Sequence, residues 1–164
     1  MAIYHCSIKI GSRSNGRSAV ASSAYRSGES LTSNETGITH DYTKKSGVVW
    51  NAVMIPEWAP KEYEDRTTLW NAVEKVEKNK NAQLFREVEV ALPCELSREE
   101  QINCLSKYVY NRLVLVGMCA DVAIHDKGDG NPHAHIMLTT REIDLNGKWE
   151  QKEKKVYKLD EQGE

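Results

Sequence analysis

Residues 119–140, CADVAIHDKGDGNPHAHIMLTT, alternate apolar and polar side chains on both sides of a segment rich in Gly, Asp and Asn. Successive side chains of a strand point to opposite faces, so this pattern predicts a β-hairpin closed by DKGDGNP at 126–132. Val122, Ile124, Ala134, Ile136 and Leu138 then share one face, and His125, His133 and His135 share the other. His133 and His135 project together because they are two apart, and the turn sets His125 opposite them. Three imidazoles on a rigid sheet offer three nitrogen ligands with coordination positions left open, the arrangement a catalytic metal needs. A structural zinc would want a fourth ligand. The plain alternative is a solvated histidine cluster, since an H-x-H pair alone is a weak signal.

Working outward, Leu84–Leu92 alternates again and places Glu87 and Glu89 away from Leu84, Val88, Val90 and Leu92. Residues 2–10, AIYHCSIKI, predict a half-buried strand with Tyr4, Cys6, Ile8 and Ile10 on the apolar face and His5, Ser7 and Lys9 on the polar one. If these strands share a sheet, its polar face gathers the three histidines, two carboxylates, His5 and Lys9. Each piece also has an ordinary reading: solvated glutamates, a surface histidine and a snorkelling lysine.

GSRSNG at 11–16 reads as a polar loop, followed by a helix from Arg17 to about Gly28 with Ala21, Ala24, Tyr25 and Gly28 on one small face. Such a face can approach a sheet closely and deliver one phenol to it, although most tyrosines on helix faces are core residues. Residues 29–46 predict a loop or loose hairpin, and Val48–Ile55 a strand ended by Pro56. A helix over 60–78 carries the stripe Arg66, Leu69, Trp70, Val73 and Val76. Ser97 and Glu100 form a capping box for a last helix whose stripe, Ile102 to Val116, stops at Gly117. Tyr4 on its apolar strand face and Tyr108 and Tyr110 in this helix are expected to be structural. The order strand, helix, strand, helix, strand, helix, hairpin predicts an α+β fold with helices packed on an antiparallel sheet.

With 164 residues and 40% hydrophobic composition, the chain can bury one core. No apolar run approaches the roughly 20 residues that cross a bilayer, and no signal-peptide pattern opens the chain, so a cytoplasmic protein is expected. Cys6, Cys94, Cys104 and Cys119 are scattered, which disfavours zinc knuckles and disulfide frameworks. The net charge of -2 is unpromising for a DNA partner. Through position 45, however, six cations (Lys9, Arg13, Arg17, Arg26, Lys44, Lys45) face three acids (Glu29, Glu35, Asp41). These six are the candidate DNA backbone contacts. Residues 150–164 are almost entirely charged or polar, as in the start of a segment of a longer protein.

Three stretches, MAIYHCSIKIGSRSNGRSAVASSAY, REVEVALP and IHDKGDGNPHAHIML, together resemble the MobA/MobL mobilisation relaxases, part of the wider HUH endonucleases. The resemblance covers residues 1 to about 149, with His133, Ala134 and His135 as the histidine, hydrophobic, histidine motif. It implies a ferredoxin-like or palm-type antiparallel sheet, a relaxase domain at 1–149, and strand-specific nicking and rejoining at a plasmid transfer origin. It further implies Tyr25 as nucleophile of a 5′-phosphotyrosine intermediate, His125, His133 and His135 as metal ligands, and Glu87 as the acidic residue beside them. One divalent ion, Mn, Mg, Zn, Ni or Co, is the expected cofactor. Single-stranded or locally melted origin DNA and accessory mobilisation and conjugation coupling proteins are the expected partners. The competing expectations are a rolling-circle initiator or transposase of the same superfamily, and a metal-dependent hydrolase that uses water and leaves Tyr25 structural.

Overall fold

The computed structural model describes residues 4–153; residues 154–164, most of the expected charged tail, lie outside the described residues. In chain order the elements are β1 (Cys6–Ser12), α1 (Ala19–Ser27), β2 (Ser30–Thr32), β3 (Thr39–Asp41), β4 (Val48–Met54), α2 (Arg66–Val76), β5 (Gln83–Ala91), α3 (Arg98–Val109), β6 (Ala120–His125) and β7 (His133–Thr139). Five strands form one antiparallel sheet in the order β1-β5-β7-β6-β4, and β2 and β3 pair as a separate hairpin over the polar stretch. This is the expected α+β architecture.

Local chemistry sets the helix ends. The Ser18 side chain accepts from the Ala21 N–H, and Gly28, in the left-handed region at φ 70, closes α1 by donating to the Ala24 carbonyl. Asp65 caps α2, and the Ser97–Glu100 capping box opens α3 with both of its hydrogen bonds present.

The sheet has two covered faces. α3 and the π-turn after it (Tyr110–Val114) pack on Val122, Ile124, Ala134, Ile136 and Leu138. α1 and α2 lie on the other face, where Val20, Ala24, Leu69 and Trp70 pack with Phe85 and Met137. The polar grid occupies the part of this second face that the helices leave open.

The first strand departs from expectation. It runs on to Ser12, taking in two residues that the sequence assigns to a loop, and Gly11 allows this because a Cβ there would meet the Phe85 ring at 2.2 Å. Its apolar side is turned out, with Tyr4 93%, Ile8 70% and Ile10 50% exposed. β1 is an edge strand, and α3 covers the centre of the sheet without reaching it. Alternation reports which residues share a face, not whether anything lies over that face. Tyr108, also expected to pack, is 55% exposed.

Candidate metal centre

The register of β6 and β7 sets His125 directly opposite His133 and Ala123 opposite His135. One ring nitrogen from each of His125, His133 and His135 lies within 4.8 Å of the other two. Each ring also has one nitrogen against an oxygen acceptor. His135 Nδ1 is 2.7 Å from a Glu87 carboxylate oxygen, His133 Nδ1 is 3.1 Å from the Asn131 carbonyl, and His125 Nε2 is 2.7 Å from the Arg26 carbonyl. Those nitrogens donate, which leaves the other nitrogen of each ring, in its neutral tautomer, as the one that can bind a metal. Histidines that hold metals are oriented in this way by outer partners. Burial, with the neighbouring positive groups, lowers the His125 pKa to about 4 despite the Arg26 carbonyl, so this ring is neutral and able to bind a metal. The donor set fits a divalent transition metal.

Glu87 lies on β5, opposite Met137 and two positions along the strand from Glu89, which pairs with His135. It is buried and held by both Nε and Nη2 of Arg26 as well as by His135. Burial alone would raise its pKa, but hydrogen bonds from His135 and Arg26, together with their charge, bring it to about 2. It is a permanent carboxylate anchoring two side chains.

Tyr25 sits in the last turn of α1, next to Arg26, and is 48% exposed. Its neighbours Ala24 and Ser23 face inward, and the phenol stands at the rim of the helix rather than on the buried stripe the spacing predicts. Lys45 clamps it: its Nζ donates to the Tyr25 carbonyl at 2.7 Å and stands 3.5 Å from the centre of the Tyr25 ring. Burial, with Arg26 and Lys127 nearby, lowers the Lys45 pKa to about 8. Tyr42 packs edge-on against the same ring, with centroids 5.2 Å apart.

Beneath α1 lies a polar cluster that sequence reasoning missed. Asp121, on the same face of β6 as His125, accepts from Ser23 of α1, from Trp70 Nε1 and from Arg66 Nε of α2. Arg66 reaches on to Glu29 and Asn51. The signal was present, since Arg66 interrupts an apolar helix stripe and Asp121 an otherwise apolar strand start.

Of the six cations expected at DNA, Arg26 and Lys45 belong to the site as described, and Lys9 reaches Glu89 at 3.5 Å. Arg13 lies away from the site, bonded to Glu35 and to the carbonyls of Glu74 and Glu77. Arg17 and Lys44 are exposed.

A model of the MobA/MobL family matches residues 17–164, and the chain belongs to that family. It is 40% identical, over its full length, to "Probable mobilization protein MobA" of Bifidobacterium longum, and 36% identical, over 90% of its length, to "Mobilization protein MobL" of Acidithiobacillus ferridurans. It spans 30% and 45% of those two proteins. Among solved structures it is similar to a chain described under "Molecular Basis of Vancomycin Resistance Transfer in Staphylococcus aureus", with TM-score 0.88 and 35% identity, covering 93% of this chain and 78% of that one. No helix among the described residues is long and apolar enough to cross a membrane.

Proposed function

We propose that this chain nicks and rejoins one DNA strand at a plasmid transfer origin, forming a covalent 5′-phosphotyrosine at Tyr25. The mobilisation proteins it is similar to support the setting, and the geometry around Arg26 supports the chemistry. Arg26 follows Tyr25 directly; its carbonyl accepts from His125 and its guanidinium holds Glu87. Helix and histidine triad are one mechanical unit, which fixes the phenol relative to anything the triad binds.

A free tyrosine titrates near pH 10, so its phenolate at pH 7 costs about 4 kcal/mol. Lys45, with its Nζ 3.5 Å from the ring centre, sets a cation beside the phenol. A divalent ion (Mn, Mg, Zn, Ni or Co) held by His125, His133 and His135 would polarise the scissile phosphate and offset its growing charge. Glu87, with its pKa near 2, is a poor acceptor for a phenol's proton and serves to orient His135 and Arg26. The phenolic proton therefore leaves to water beside the half-exposed ring. Because the phosphotyrosine conserves bond energy, the same site religates the strand without a nucleotide cofactor.

The substrate in this reading is single-stranded or locally melted origin DNA, since a duplex phosphate cannot reach a site recessed on a sheet. Residues 1–149 form the nicking domain of a longer cytoplasmic protein that works with accessory mobilisation and coupling proteins. The test is incubation with Mn and a single-stranded oligonucleotide carrying the cognate origin. Wild type gives a denaturation-resistant adduct mapping to Tyr25, and Tyr25→Phe binds metal and DNA but gives none. Cleavage that leaves a free 5′ phosphate would establish the water-based hydrolase instead.

A further inference from the structure

The polar face carries a second group of side chains that the chemistry above does not use. The Ala91 N–H donates to the His5 carbonyl at 2.9 Å, Ala91 pairs with His133, and His133 pairs with His125. His5, Ala91, His133 and His125 therefore form one row across β1, β5, β7 and β6. Neighbouring strands lie about 4.8 Å apart, so His5 stands roughly 10 Å from His133 with only the Ala91 methyl between them. That gap is a cleft of about 330 Å³ lined by Tyr4, His5, Glu89, Ala91, Asn131 and His133, within the size range of small-ligand sites.

Glu89 forms its floor. A Glu89 carboxylate oxygen lies within 4.8 Å of a His135 nitrogen, 3.8 Å from His5 Nε2 and 3.5 Å from Lys9 Nζ. The triad thus has two sides. The backbone of Tyr25 and Arg26 stands on the β6 side, where the Arg26 carbonyl meets His125, and His5, Glu89 and Lys9 stand on the β5 and β1 side. In phosphoryl transfer the entering and leaving oxygens lie roughly in line across phosphorus. A phosphate at the triad, attacked from the β6 side, expels its leaving oxygen over the cleft.

We propose that His5 is the general acid for the leaving 3′-oxygen, that Glu89 holds its ring in place, and that the cleft receives the nucleoside bearing that oxygen. The inference rests on Tyr25 being the nucleophile. In the forward step the Tyr25 Oη–P bond forms and the P–O3′ bond breaks. The electron pair goes to O3′, which takes a proton from the His5 imidazolium. The phenolic proton leaves to water, and His5 recovers its own from solvent through its half-exposed ring. In rejoining, neutral His5 removes the proton of the 3′-hydroxyl as that oxygen attacks the phosphotyrosine and the Tyr25 phenolate departs. Imidazole suits both directions because the ring nitrogen that gives up a proton in one step can accept one in the reverse step.

The experiment compares two origin oligonucleotides that differ only at the nick, one with the natural bridging 3′-oxygen and one with a bridging 3′-sulfur, which departs as a thiolate without needing a proton. His5→Ala, with His5→Gln as a second variant, should slow adduct formation on the oxygen substrate by about 100-fold or more, in the range for loss of a general acid. On the sulfur substrate both variants should react close to the wild-type rate. Metal affinity and thermal midpoint, measured alongside, should be unchanged, because His5 is a half-exposed side chain at a sheet edge. Equal slowing on both substrates, or no slowing on oxygen, overturns the His5 assignment while leaving the Tyr25 reading intact. Absence of an adduct from wild type on both substrates overturns the Tyr25 reading, and the His5 assignment with it.

Discussion

His125 Nε2 lies 2.7 Å from the carbonyl oxygen of Arg26, across 99 residues of sequence. A side chain that belongs to the histidine triad on one edge and bonds the end of α1 on the other makes the two mutually dependent. A shift of α1 would turn the ring, and a turned ring would loosen the helix terminus. Four expected outcomes follow from this arrangement and its supports.

Glu87→Gln keeps the shape of the side chain and removes its charge. Loss of an outer-shell partner of this kind typically lowers metal affinity by about 10- to 100-fold. Calorimetric titration of the metal-free protein should show this decrease at a single site. An unchanged dissociation constant would mean that Glu87 does not orient His135.

Acid stability should report the same carboxylate. Its folded pKa is about 2, against roughly 4.3 for an unfolded glutamate, so between these values the unfolded chain binds more protons. The stabilisation from Glu87 is complete above about pH 4.3 and is lost as pH falls toward 2. Denaturant melts of the metal-free protein at pH 5, 4 and 3 should therefore steepen in wild type relative to Glu87→Gln. Parallel curves would contradict the linkage.

Lys45→Met retains the stem of the side chain but removes the cation over the Tyr25 ring. Cation–π contacts contribute about 0.5–2 kcal/mol, so adduct formation should slow by roughly 2- to 30-fold if that energy bears on the phenolate. Single-turnover kinetics at saturating DNA isolate this step. A change confined to DNA affinity would make Lys45 a backbone contact instead.

The exposed Arg17 and Lys44 differ from Arg13 and Arg26, which are bonded within the protein. Neutralising Arg17 and Lys44 together should reduce the slope of log affinity against log salt by about 1.4, at roughly 0.7 per single-strand contact. Arg13→Gln should leave the slope unaltered. The reverse pattern would place the DNA along the Arg13 side of α2.

Much of this was legible from alternation. The β6–β7 hairpin, its register and the convergence of three histidines follow from a period of two and a turn sequence, because strand geometry admits no other placement. Tyr25 is singled out by its helix and by resemblance, but its half-exposed position is not legible there, since helix periodicity names a stripe without saying how far the sheet extends beneath it. Arg26 is the instructive case. Local composition marks it as one more cation in a basic stretch, whereas its partner Glu87 is 61 residues away. The Asp121–Arg66 pair was invisible for the same reason, its members being 55 residues apart on separate elements. The outward face of β1 depends on where α3 stops, a property of packing and not of β1 itself.

The strand order also bears on how the chain comes to its structure in time. In the five-stranded sheet, β6 and β7 are the one pair of neighbours adjacent in sequence, and they carry every histidine of the triad. A hairpin closes in about 1–10 μs, while pairings such as Ser7 with Glu89 must first close a loop of dozens of residues at a larger entropic cost. Low sequence separation favours early formation, so the histidine triad is assembled from local contacts and the helix that carries Tyr25 is joined to it by long-range ones. The histidine hairpin can form before α1 is seated, and the arrival of α1, locked by His125 against the Arg26 carbonyl, joins the helix that carries Tyr25 to a triad already assembled.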